Sequence, residues 1–140
     1  ALDTLLTEKS LFCEAHDIKI SCVVDGKSLA FLDPVDLYAI LGNALDNAVE
    51  GVSGFSDKAR RLIDLAVYTR NQFLVITVSN PVKGELQFHG GLPVTTKQDK
   101  GYHGFGLRSI RHTVQKYGGH INVSADKGTF LLKMIIPLPK

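Results

Sequence analysis

Two amides and three carboxylates, with no basic residue among them, mark residues 34–52 as the stretch of this sequence best equipped for chemistry. With Asn43 set at zero and about 100° per residue, Asp36, Asp46, Asn47 and Glu50 fall within about 60° of it on a helix. Leu41, Leu45, Ala48 and Val52 take the opposite side. Most polar stripes of this kind are simply the solvated face of an amphipathic helix. This stripe carries no Lys or Arg, however, so four-apart ion pairs do not account for it. Asn is also a mediocre helix former, because its side chain competes for backbone groups. Two Asn one turn apart project amide oxygens onto one spot, and such hard donors suit Mg²⁺ shared with substrate phosphates. Spacing alone leaves both readings open, a solvated face or a metal–phosphate site.

A second run, Gly101-Tyr102-His103-Gly104-Phe105-Gly106-Leu107, leads into a helical period carried by Leu107, Ile110, Val114 and Tyr117. Glycines let backbone N–H groups approach an anion, and a helix N-terminus adds partial positive charge. Lys97, Lys100 and Arg108 flank this run and could neutralise phosphate oxygens. No GxxxxGK[ST] occurs, which excludes a P-loop. No strand feeds the glycines and no parallel βαβ unit follows, which excludes a dinucleotide fingerprint. An ordinary turn remains the competing reading. His16, His89, His103, His112 and His120 are scattered, without HExxH or a Cys partner at zinc spacing, and read as surface or packing residues. Of these, His103 is the one that could reach phosphate. No GxSxG elbow, Cys nucleophile signature or base-stacking RNA motif is found.

The elements that must position these residues belong to one domain of 140 residues, 44% hydrophobic and 21% charged. Sixteen Lys+Arg against fourteen Asp+Glu leave +2, too mild for a nucleic-acid or membrane-surface binder by charge alone. No apolar run is long enough to span a bilayer, no secretory signal opens the chain, and the missing initiator Met fits an excised fragment. Cys13 and Cys22 read as free thiols in a reducing compartment. The pattern predicts a helix over residues 1–15 that starts without an N-cap, as the tail of a longer helix, and a strand over 18–24. A helix over 34–52 is expected to be capped by Asp33 with Pro34 in its first turn. Strands over 62–68 and 73–79 flank a turn at 69–72, and strands over 120–125 and 129–136 flank one at 126–128. Between them, residues 80–103 hold no period and read as a functional lid, followed by a helix ending at Gly118-Gly119. This order predicts an α+β, two-layer sandwich: a mixed, mostly antiparallel sheet with helices on one face.

Asn43-Ala44-Leu45-Asp46-Asn47-Ala48 on a helix, Val78-Ser79-Asn80 ending a strand, a lid, then His103-Gly104-Phe105-Gly106-Leu107 together resemble a known family. They are similar to the Bergerat-type ATP-binding domain shared by gyrase, the ninety-kilodalton heat-shock chaperone, histidine kinases and MutL. Tyr117-Gly118-Gly119-His120-Ile121, Lys127-Gly128-Thr129-Phe130 and Pro137 resemble the histidine-kinase branch. Asp3-Thr4-Leu5-Leu6 with Lys9, and Thr95-Thr96-Lys97, are similar to Agr-type peptide-pheromone sensor kinases.

The resemblance implies residues 1–15 as the tail of an upstream dimerisation and phosphoacceptor helix, and 16–140 as the catalytic domain with a lid over about 81–103. Asn47 would be the principal Mg²⁺ ligand and Asn43 its neighbour near the phosphates. Gly104 and Gly106, with His103, Phe105 and Leu107 around them, would close over the triphosphate of ATP, helped by Lys97. Asn80 stands where most relatives have the Asp of a D-x-G-x-G box, which accepts from the adenine amino group. Here Pro81 and Val82 follow instead. Thr129 would lie behind the adenine site. ATP-hydrolysing relatives carry Glu at the place of Asn43, and an amide cannot act as a general base, which favours transfer of phosphate to a protein side chain. The implied partners are the upstream domain and a response regulator, with no nucleic acid. The parent would be a membrane-attached homodimer, and this domain cytoplasmic. A non-catalytic nucleotide-binding or partner-binding module of the same fold is the alternative, supported by the altered box at Asn80-Pro81.

Overall fold

The computed structural model describes residues 1–84, 86–93 and 103–140, apart from the side chains of residues 103–105. After a first helix, α1 (Leu2–Ala15), strand β1 (Lys19–Val24) pairs parallel with β2 (Leu62–Arg70). β2 turns back into β3 (Phe73–Pro81), which pairs antiparallel with β7 (Thr129–Pro137), and β7 with β6 (His120–Asp126). The sheet order is β1-β2-β3-β7-β6, mixed and mostly antiparallel as expected. Alternation along the strands turns Ile63, Leu65 and Val67, Leu74, Ile76 and Val78, and Leu132, Met134 and Ile136 into one core. Leu41, Leu45, Ala48 and Val52 from the helix that holds the amides join that core, with Leu107, Ile110 and Val114 from α4 (His103–Lys116).

The helix expected over 34–52 is a rod with a flaw. It comprises α2 (Pro34–Leu37), a wide π turn at Tyr38–Gly42, and α3 (Asn43–Ser53). Pro34 takes the first turn as expected, but the Asp33 side chain makes no capping bond; its backbone N–H donates to the Tyr117 hydroxyl at 3.2 Å instead. Within α1, Leu5 and Cys13 are buried, whereas Phe12 is half-exposed and stacks on His16 at 4.0 Å. Cys13 and Cys22 are both free thiols.

Two further differences bear on the site. The segment expected to be irregular contains a small hairpin, β4 (Phe88–His89) and β5 (Leu92–Pro93), turning on Gly90 (φ 62°) and Gly91 (φ 82°). Two consecutive left-handed residues are what a two-residue hairpin turn requires, and Gly-Gly supplies them without steric cost. Leu92 enters the core and Arg111 on α4 donates to the Gly90 carbonyl at 2.7 Å, so residues 88–93 are docked on the domain. The rest of the expected lid, residues 94–102, lies outside the described residues. Second, α4 begins at His103, so Gly104 and Gly106 lie within its first turn rather than ahead of it. At its far end Gly118 (φ 78°) reverses the chain and Gly119 meets β7 so closely that a Cβ would stand 2.4 Å from the Ile135 carbonyl oxygen.

Candidate functional site

Asn43, Asn47 and Gly51 follow one another at single-turn intervals along α3, a ridge about 12 Å long at 1.5 Å rise per residue. At its first step the wide turn decides the orientation. The Asn43 backbone N–H bonds the Ile40 carbonyl, and its side-chain Nδ2 donates to the Ala39 carbonyl at 2.7 Å. The same Nδ2 lies 3.4 Å from Ser109 Oγ on α4, three residues beyond Gly106, which brings the Asn43 end of the ridge against the first half of α4. Asn47, at the second step, is 9% exposed.

At the third step the ridge meets the sheet. Asn80, in the penultimate position of β3 and opposite Phe130 on β7, meets Gly51 with its nitrogen edge: a Cβ on that glycine would stand 2.7 Å from Asn80 Nδ2. The Nδ2 group donates to the Pro81 carbonyl at 2.8 Å. The other end of the amide, Oδ1, is buried without a hydrogen-bond partner, and it is the one side-chain atom in that condition among the described residues. Buried acceptors are nearly always paired, so an orphan of this kind needs a reason.

The carboxylates of the stripe have structural employment that the helix alone does not reveal. Asp46 is paired with Lys9 of α1. Asp36, 7% exposed, takes Lys116 Nζ at 2.8 and 3.0 Å on its two oxygens, and the Tyr117 hydroxyl donates to Oδ2. Lys116 first, then Tyr117, hold the Asp36 carboxyl below the ordinary carboxylate range; the same contact raises Lys116. The stripe thus has ion pairs, though none of the four-apart kind, whose absence was the expectation. Its cations arrive from 37 and 80 residues away, beyond the reach of four-apart counting.

The remaining expected site residues fall as follows. The backbones of His103, Gly104, Phe105 and Gly106 form the first turn of α4, where main-chain N–H groups lack intrahelical partners. Leu107 is 2% exposed, so its side chain serves the core and only its backbone can face a ligand. Thr129 is exposed and paired with Pro81, next to the Asn80–Phe130 pair. Lys97 lies outside the described residues. Two clefts elsewhere, one lined by Leu2, Leu29 and Pro34 and the other by Gln72 and Leu138, include none of the three amides. Sequence reasoning missed Gly51 and Ser109. Gly51 lies inside the helix expected over 34–52, where glycine costs about 1 kcal/mol against alanine, and that cost is the signal that could have found it.

A sequence model of the GHKL domain matches residues 32–137, and the chain belongs to that family. No curated protein sequence matches the chain. Among solved structures, the Acinetobacter baumannii histidine kinase AdeS superposes with a TM-score of 0.68 at 12% identity, over 99% of this chain and 64% of that one. The catalytic domain of the histidine kinase ThkA, in a nucleotide-free form, gives 0.69 at 19% identity, over 97% and 91%. The histidine kinase domain of the Erythrobacter litoralis EL346 blue-light activated kinase gives 0.64 at 22%, over 96% and 59%. The chain thus spans about three fifths of the AdeS and EL346 chains. At these identities the likeness is one of fold, and it is the α+β sandwich expected from the sequence.

Proposed function

We propose that this chain is the ATP-binding catalytic domain of a two-component sensor histidine kinase of the Agr-type branch. It would hold Mg-ATP between α3 and the first turn of α4 and pass the γ-phosphate to a histidine on a separate dimerisation domain. The observation that carries the reading is the buried, unpartnered Asn80 Oδ1 at the base of the Asn43–Asn47–Gly51 ridge. An acceptor with no partner in the protein is what an adenine amino group needs, and a neutral amide accepts it without the charge assistance of the usual Asp. One ridge length away, Asn43 Nδ2 lies 3.4 Å from Ser109 Oγ in the second turn of α4, which supports phosphates at the end of the ridge nearer the α4 N-terminus.

The donor set fits a magnesium ion: Asn47 and Asn43 would supply one or two oxygens, with phosphates and water supplying the rest. Bound there, Mg²⁺ would offset the charge of the phosphates. Asn43 holds the place of the Glu that activates water in hydrolysing relatives, and an amide takes no proton near neutral pH, which supports transfer over hydrolysis. Lys97 would come from the lid, and the upstream helix, a response regulator and a membrane-attached homodimeric parent complete the assignment. A regulatory module without turnover is the second reading, favoured by Pro81 and Val82 in place of the glycine box.

Calorimetric titration with a non-hydrolysable ATP analogue, with and without Mg²⁺, tests the assignment. Binding strengthened by Mg²⁺ is expected, and Asn47→Ala is expected to lose the Mg²⁺-dependent part. Labelled ATP is expected to leave little acid-labile phosphate on this chain, because none of its five histidines has the setting of an acceptor. Absence of heat at millimolar analogue would reject the kinase reading in favour of the second.

A further inference from the structure

We propose that Gly51 is a positioning residue for purine recognition: having no side chain, it admits the Asn80 amide against α3 and so aims Oδ1 at a 6-amino rather than a 6-oxo purine. This rests on the nucleotide site proposed above. A Cβ on Gly51 would stand 2.7 Å from Asn80 Nδ2, 3.7 Å from Cγ and 4.0 Å from Oδ1, so the nitrogen edge of the amide is the one turned to the helix. That edge is held from its other side by the Pro81 carbonyl at 2.8 Å. The amide is therefore wedged between a helix and its own strand, with its oxygen directed away from both. Asn80 is 4% exposed, so the amide is covered on its other sides as well. A methyl group at residue 51 would force the side chain to turn, breaking the bond to Pro81 and swinging Oδ1 out of line.

Helix propensity sharpens the point. Glycine is the poorest ordinary residue inside a helix, so its presence within α3 calls for a compensating contact. Gly54, at the end of the same helix, has nothing within 4 Å of its Cβ position and serves as the control. Oδ1 accepts a hydrogen bond from the exocyclic amino group of adenine. A 6-oxo purine presents a lone pair there and leaves the buried acceptor unpaired, and sites of this kind discriminate strongly.

Calorimetry on the 140-residue chain with Mg²⁺ and either ADP or IDP tests this. The unsubstituted chain is expected to prefer ADP by at least about tenfold. Gly51→Ala is expected to weaken ADP by about tenfold while leaving IDP unchanged, so that the preference collapses. Gly54→Ala is expected to change neither. In the Gly51→Ala/Asn80→Ala double variant the loss is expected to equal that of Asn80→Ala alone, because the added methyl then meets nothing. If Gly51→Ala does not fold, restoration of folding by Asn80→Ala supports the proposal equally, and a double variant that stays unfolded overturns it. Retained ADP preference in Gly51→Ala, or additive losses in the double variant, overturns the role of Gly51 while the nucleotide site stands. Equal binding of ADP and IDP by the unsubstituted chain overturns the Asn80 contact, and binding of neither overturns the nucleotide site itself.

Discussion

Two polar side chains are buried at opposite ends of the rod formed by residues 34–53, and they have opposite fates. Asp36 is satisfied on both oxygens by Lys116 and Tyr117, and the Tyr117 hydroxyl in turn accepts the Asp33 N–H. Asn80, against the other end, satisfies its nitrogen and leaves its oxygen unpaired. An unmet buried acceptor costs about 1–3 kcal/mol, so a fold gains nothing by keeping one. The difference separates a clamp, which fastens the start of the rod to the end of α4, from a socket, for which the proposed nucleotide would be the partner.

Substitutions at the two ends are expected to separate stability from binding. The largest effect on stability belongs to the clamp side. Gly119→Ala would drive a Cβ into the Ile135 carbonyl just beyond Tyr117, and thermal unfolding is expected to show a loss of about 1–3 kcal/mol. Asp36→Asn is expected to lower the unfolding midpoint with little change in nucleotide affinity. Asn80→Ala should do the reverse, leaving the midpoint unchanged or raised and weakening ADP by about tenfold in calorimetry. If Asp36→Asn abolished binding, or Asn80→Ala unfolded the chain, the contrast would be void.

The pH dependence of the clamp has a definite sign. Asp36 titrates below its ordinary value of 3.8 in the folded chain, so its contribution is complete above that value and disappears as pH falls through the lower, folded one. Lys116 titrates above 10.5, so its share is complete below that value and disappears as pH rises through the higher one. The stability difference between the unsubstituted chain and Asp36→Asn should therefore be flat across neutral pH and shrink only in strong acid or strong base, as measured by denaturant titration at several pH values. A smaller effect sharpens the socket. Asn80→Asp would set a carboxylate oxygen against the Pro81 carbonyl where Nδ2 now donates, and ADP affinity at neutral pH is expected to fall below that of Asn80 despite the added charge. Smallest of all, Lys58→Ala removes a pair with Asp17 in which both side chains are more than half exposed, and no shift of the midpoint is expected.

The sheet was legible because its strands alternate and its turns are marked, as in Lys127-Gly128, where both residues adopt positive φ. The amide ridge was legible for the same reason, since a periodic pattern reports which residues share a helix face. Three things were not. The Asp33 side chain does not cap the helix; its backbone N–H instead reaches the Tyr117 hydroxyl, 84 residues away, a contact no local pattern announces. The ion pairs of Asp36 and Asp46 depend on lysines from other elements, and no local rule finds them. The Gly90-Gly91 hairpin was hidden by strands of two residues each, too short for alternation to register. Gly51 belongs with these, because the sequence displays a glycine but not the side chain that leans on it.

The wide turn at Tyr38–Gly42 also fixes which edits the rod can absorb. A π turn spends about one residue more than an α turn on the same rotation, so deleting one residue there would tighten it to an ordinary α turn and leave the amide row close to its line to Ser109. The same deletion between Asn43 and Gly51, where no turn has a residue to spare, would rotate the third step by about 100° and take it off the sheet.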